Sequence, residues 1–173
     1  IFGGIDILWS NAGTNGPAEL EDMDLDHYNK TISLNLTAGI LAAQACVPHL
    51  REKGGGAILF TSSTSGLVGS PRYAIYTATK FALVGYTKTL AQRLAPENIR
   101  VNAICPGQTD TPMVRNLVKG AAKEHLAGMM AAIPMGRAAE ALEIAKTAYW
   151  LASEESSFVT GIALPVDGGF TSR

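Results

Sequence analysis

"GAILFTSSTSGLVGSPRYAIYTATKFALVGYTKTLAQRLAPENIRVNAICP", residues 56–106, decides the fold. It opens on the apolar run 56–62, crosses a loop of Ser, Gly and Pro, carries a helical pattern over 73–95 that stops at Pro96, and closes on a second apolar run, 99–106. Short apolar runs without polar alternation read as strands buried on both faces. Two of them with a helix between make a parallel βαβ unit. Upstream stands a third run, "IDILWS" (5–10), followed by a helical pattern over 24–50 that begins at the capping candidate Asp24 and runs to the Gly54-Gly55-Gly56 stop. Downstream, a helical pattern over 139–155 precedes a fourth strand in "TGIALPVDGG" (160–169). The expected fold class is therefore α/β, a parallel sheet of about four strands with flanking helices. No repeat, low-complexity tract or linker divides residues 1–173, which read as one domain.

Right-handed crossovers put the first two helices on one face of that sheet and leave much of the other thinly covered. Four strands of about 18 Å at about 4.8 Å spacing project roughly 350 Å². That approaches the largest apolar patch a soluble monomer usually exposes, and the first strand would also leave an open edge. The chain starts almost at once with a strand and without Met. It reads as cut, and earlier βα units or a swapped partner are expected on the N-terminal side.

Composition narrows the function classes. Hydrophobic residues make up 47% of the 173 and charged residues 17%, ample for a packed core. The net charge is −1, and no Lys/Arg cluster interleaves with aromatics, which argues against nucleic acid and against an anionic membrane surface as partners. A small-molecule ligand is expected instead. Cys46 and Cys105 lie in apolar runs without CxxC or metal spacing, as reduced buried thiols of a cytoplasmic protein would. No metal site, signal peptide or apolar stretch of membrane-spanning length is expected.

Tyr76 and Lys80 stand four apart on the second helix, so their side chains share a face. As a surface pair they contribute about 0.2–0.5 kcal/mol. Bringing a phenol from a pKa near 10 to near 7 requires roughly 4 kcal/mol, which proximity on an exposed helix cannot supply. Proton chemistry at Tyr76 thus requires a partly desolvated cleft and further positive charge.

The roster of motifs resembles the short-chain dehydrogenases/reductases, in their shorter single-domain subtype, over essentially all 173 residues. It consists of "NAG" (Asn11, Ala12, Gly13) after the first strand, Asn35 in the next helix, Ser63 placed 13 residues before Tyr76, Lys80, "PGQTDT" after the third strand, and "PVDGG" near the end. Each motif alone is common; their order at βα junctions is specific. The resemblance implies a Rossmann-like fold and NAD or NADP as cofactor, with a secondary alcohol or carbonyl as substrate. It implies Tyr76 as general acid and base, Lys80 as stabiliser of the phenolate and ligand of the nicotinamide ribose, and Ser63 as hydrogen-bond donor to the substrate oxygen. Asn35, which could otherwise cap or bend its helix, would hold a water that passes protons on from Lys80.

Asn11, Ala12 and Gly13 would wall the adenosine ribose besides ending the strand. Pro106 and Gly107 would line the nicotinamide pocket, Thr109 would bond the carboxamide through its backbone, and Thr111 would reach the phosphates. The family more often has Asn at Ser10 and aliphatic residues at Trp9 and Thr109. Ser62 reads as a strand-end hydroxyl, and Thr61, Thr64 and Ser65 read as turn formers.

Residues 112–136, with Met113, Leu117, Leu126, Met129, Met130, Ile133 and Met135, read either as core or as a lid over the substrate. His27, His49 and His125 are expected at the surface or in caps. The resemblance also implies a homo-oligomer, dimer or tetramer, built through the Tyr76 helix and the C-terminal region. The family's glycine-rich pyrophosphate turn has no counterpart, so this polypeptide alone is expected to bind cofactor poorly. Two rival readings remain: a catalytically silent truncated module acting through oligomer contacts, and a sugar-nucleotide epimerase relative, for whose extra domain the C-terminal "PVDGG" leaves no room.

Overall fold

A computed structural model describes residues 3–117, 119 and 123–172. The strands are β1 (Ile7–Ser10), β2 (Gly56–Thr61), β3 (Ile99–Pro106), β4 (Thr109–Asp110), β5 (Ala139–Glu140) and β6 (Ala163–Val166). The helices are α1 (Leu25–Ile32), α2 (Ala38–Glu52), α3 (Ala74–Leu94), α4 (Pro112–Leu117), α5 (Lys123–Ala131) and α6 (Ala141–Ala152). Four strands form a parallel sheet in the order β1-β2-β3-β6, as expected, and β4 pairs with β5 in a separate two-stranded ladder. Strands of two residues carry no periodicity, so that ladder had no signal in sequence.

The central strands are buried on both faces, and alternation sorts their side chains. Ile58 and Phe60 of β2 join Leu83, Ala91 and Leu94 of α3 and Ala43 and Leu50 of α2 in one core. Leu59 points the other way and meets Ile144, Ala148 and Leu151 of α6. Burying each of the Leu, Ile and Phe side chains among them stabilises the fold by about 1.5–3 kcal/mol. The two halves of the first crossover and α3 do lie on one face. On the other, α6 covers β2 and β3 but not β1. The register Trp9↔Leu59 puts Trp9 and Ile7 on the α6 side, where they are 41% and 50% exposed.

The helix expected over 24–50 does begin at Asp24, whose carboxylate accepts from the Asp26 and His27 amides. It is interrupted, however, by a π-helical segment, Ser33–Thr37, centred on Asn35. The expectation of no membrane-length apolar stretch needs amending. Leu25–Glu52 is 28 residues long with a window of mean hydropathy 1.3, enough by length and composition to cross a bilayer. Its apolar content has a local use, since Gly39, Ala43 and Leu50 form a buried stripe on α2 and Thr31 and Asn35 are buried just before it.

The α3 helix ends through a 3₁₀ turn, Ala95–Glu97, and Asn98 adopts the left-handed conformation that turns the chain into β3. Cys105 is fully buried, whereas Cys46 is only half-buried. His27 bonds the Asn15 carbonyl and His49 pairs with Glu52 on the surface. The expectations for Leu117, Leu126 and His125 fall outside the described side chains. Ile133 is core, 4% exposed, while Met113 and Met135 are exposed.

Candidate active site

The carboxyl ends of β1, β2 and β3 open into one cleft, the place where parallel α/β sheets bind ligands. Its volume is about 460 Å³. β1 delivers Asn11 and Gly13, β2 delivers Thr61, Ser62 and Ser63, β3 delivers Pro106 and Gly107, and α3 lays Tyr76 and Lys80 across the wall; Thr109, Thr111 and Met113 close the far side. Of the expected residues, Ala12 and Asn35 do not line it. Volume alone does not single the cleft out, for a hollow of about 490 Å³ lies at the opposite strand ends beside Asp6, Gly55 and Arg100. What distinguishes the first is its chemistry: a phenol, an ammonium and a serine hydroxyl on one wall.

Lys80 is 3% exposed, its Nζ 5.4 Å from the centre of the Tyr76 ring, within cation–π reach. Nζ donates to the Thr61 carbonyl at 2.8 Å. Burial pulls the Lys80 ammonium down to about 8. Burial also pushes the Tyr76 phenol above the ordinary tyrosine value, with a hydrogen bond from Ser63 opposing it. This differs from the lowered phenol that proton chemistry led one to expect. The reason is that desolvation dominates at Tyr76 while the nearby ammonium is bound to a main-chain oxygen rather than to the phenol.

Ser63 caps the 3₁₀ turn Thr64–Gly66, accepting from the Ser65 amide at 3.1 Å. Thr64 and Ser65 form a turn, as expected, but Thr61 is the last residue of β2. Its hydroxyl accepts from the Trp9 indole at 2.9 Å and donates to the Asn11 side chain at 2.8 Å, while its carbonyl holds Lys80. The roles of Thr61 and Trp9 were missed in sequence. The available signal was alternation, which puts Thr61, two residues after Leu59, on the same face as Trp9.

Asn35, 3% exposed, spends its side chain on backbone. Its oxygen accepts from Thr14 N at 2.8 Å, and its amide donates to Thr14 O at 2.8 Å and to Thr79 Oγ1 at 3.3 Å. Both amide hydrogens are therefore in use, and Asn35 acts as a clamp on the loop after Gly13. Gly107 has a packing reason: a Cβ there would lie 2.8 Å from Asp167 Cβ and 2.9 Å from its Cα. Burial works against the Asp167 carboxylate, but hydrogen bonds from Thr171 and Gly169 outweigh it and hold the group below its usual range. Asp167 of the "PVDGG" turn thus packs against Gly107, which lines the cleft. Thr109 Oγ1 bonds the Gly107 carbonyl at 3.0 Å, and Thr111 Oγ1 accepts from Val114 N at 3.4 Å.

Comparison with known proteins shows the family. A short-chain alcohol dehydrogenase family model, described as enoyl-(acyl carrier protein) reductase, matches residues 1–171. The chain is 43% identical over 170 residues to trans-4-hydroxycyclohexanecarboxylate dehydrogenase of Sinomonas cyclohexanicum, covering 98% of this chain and 62% of that protein. It is 42% identical over 167 residues to 3alpha-hydroxysteroid dehydrogenase of Mediterraneibacter gnavus, covering 96% of this chain and 65% of the relative. The chain thus spans less than two thirds of the length of these two relatives. The solved structure of ElxO with NADP bound superposes with a TM-score of 0.91 at 32% identity, over 99% of this chain and 69% of that one.

Proposed function

Because the chain belongs to the short-chain dehydrogenase/reductase family, we propose that it serves an NAD(P)-dependent oxidoreductase that interconverts a secondary alcohol and a carbonyl. The observation that carries this reading is the convergence of Ser63, Tyr76 and Lys80 on one wall of the cleft, with Lys80 Nζ 5.4 Å from the Tyr76 ring. The donor set suits a dinucleotide: the Lys80 ammonium for ribose hydroxyls, Asn11 and Gly13 beside it, and Pro106, Gly107, Thr109 and Thr111 across the cleft. When bound, the nicotinamide supplies or takes the hydride.

The protein's own part is proton transfer and orientation. Ser63 Oγ holds the substrate oxygen, and the Tyr76 hydroxyl gives that oxygen its proton in reduction and takes it back in oxidation. A phenol raised by burial stays protonated at neutral pH, which suits the acid role. For oxidation Tyr76 must ionise, and the nearby Lys80 ammonium stabilises the phenolate once it leaves the Thr61 carbonyl. Asn35 serves by holding the loop behind Lys80. The substrate meets an apolar wall of Met113, Val114 and Ile144, which suits a hydroxyl carried on an apolar ring, in keeping with the names of the two relatives. The exposed Phe81 on α3 and Leu41 on α2 support assembly of a homo-oligomer through these helices.

The test is hydride transfer, followed by nicotinamide absorbance, with NAD⁺ or NADP⁺ and simple cyclohexanols, alongside NADH and NADPH titrations followed by fluorescence. Turnover at high nicotinamide concentration that disappears in Tyr76→Phe, while the weak nicotinamide binding expected of this chain persists, is the expected result. Neither binding nor turnover in the unaltered protein would overturn the proposal.

A further inference from the structure

Adjacent serines just after β2 bond different partners. Ser63 faces the cleft, whereas Ser62 is 2% exposed and its Oγ donates to the main-chain carbonyl of Lys80 at 2.9 Å. Lys80 is thereby held at both ends by consecutive residues, the last of β2 and the one after it, because its Nζ donates to the Thr61 carbonyl at 2.8 Å. Ser62 is itself anchored, its amide donating to Ile104 O at 2.8 Å and its hydroxyl meeting the buried Cys105 thiol. No side chain fits at Gly66 beside this bond. A Cβ on Gly66 would lie 2.3 Å from Ser62 Oγ and 2.8 Å from Lys80 O.

We infer that Ser62 is a positioning residue: its hydroxyl fixes the rotation and height of α3 against β2, and so the place of the Lys80 ammonium relative to Tyr76 and Ser63. The inference rests on the reading of Lys80 and Tyr76 as the proton-transfer pair. Ser63 follows Ser62 directly, so one hydrogen bond sets the relation between the strand that carries the substrate-binding hydroxyl and the helix that carries the acid. Displacements of about 1 Å at such a pair cost reaction rate heavily. Without the hydroxyl, α3 can move off β2 at this level and water can reach the Lys80 stem.

The experiment is a pH titration of ε-¹³C-labelled lysines by NMR, in which the Lys80 signal is recognised by its absence from Lys80→Met. Lys80 titrates near 8, apart from ordinary lysines. In Ser62→Ala the Lys80 midpoint is expected to rise by about half a pH unit or more, because the desolvation that depresses it is relieved. A purely structural role would lower the urea midpoint and leave the Lys80 titration where it was; that result overturns the inference. Should Ser62→Ala not fold, Ser62→Cys, similar in size and a weaker donor, is expected to give a smaller rise, and an unmoved midpoint counts equally against. The titration needs no turnover. A shifted midpoint in a protein that proves inactive would sink the functional reading and leave the positioning role standing.

Discussion

Replacing Lys80 by Met should stabilise the protein at neutral pH, and the gain should shrink as pH rises. The buried ammonium titrates at about 8 rather than 10.5. Folding therefore works against the charged form by about 3 kcal/mol. The unfolded chain binds more protons than the folded one between these two values, so stability rises with pH across that window and the full penalty is present below it. Working the linkage through, about 2.5 kcal/mol of the penalty is gone by pH 10. Lys80→Met keeps the stem and removes the charge, at the cost of the bond to the Thr61 carbonyl, about 1.5–3 kcal/mol for a charged donor. The net gain at pH 7 is accordingly small, while its pH dependence is large. Urea unfolding of both proteins at several pH values from 7 to 10 measures this, since titrations that Lys80 does not influence cancel in the difference. A difference that stays flat over that range would refute the claim that burial holds Lys80 near 8.

Asn35→Ala should cost about 2–3 kcal/mol, because it strips both partners from the Thr14 backbone in a buried setting, and urea unfolding would show it. Gly107→Ala should destabilise by about 1–3 kcal/mol through the collision with Asp167, measured in the same way. Tyr76→Phe should lower turnover by at least about 10²-fold with little change in nicotinamide affinity, a split that steady-state kinetics and fluorescence titration resolve. Phe81→Glu, on the exposed face of α3, should lower the mass seen by light scattering if the helices assemble as proposed.

Much of this molecule is legible along the chain. The three apolar runs become β1, β2 and β3 in parallel; β2 and β3, buried on both faces, have little choice but to be apolar throughout, whereas β1, read as equally buried, keeps one face exposed. Most of the expected cleft residues gather in one place for a topological reason: Asn11, Gly13, Ser63, Pro106 and Gly107 lie at or just after the ends of parallel strands, and all such carboxyl ends lie at one edge of the sheet. The bounds were less legible. β1 begins at Ile7 rather than residue 5, and a π segment interrupts the helix that periodicity shows as continuous. Ile133, read as core or lid, settles as core.

Local pattern thus determined the kinds of element, their order, and which hydroxyls and amine would meet. Tertiary structure alone decided what those groups do in the cleft. Lys80 rests on an oxygen 19 residues away, Asn35 clamps a loop 21 residues away, and the Tyr76 phenol is raised rather than lowered. Proton affinity depends on burial and on partners brought in from distant strands, and neither quantity is a property of spacing along a helix.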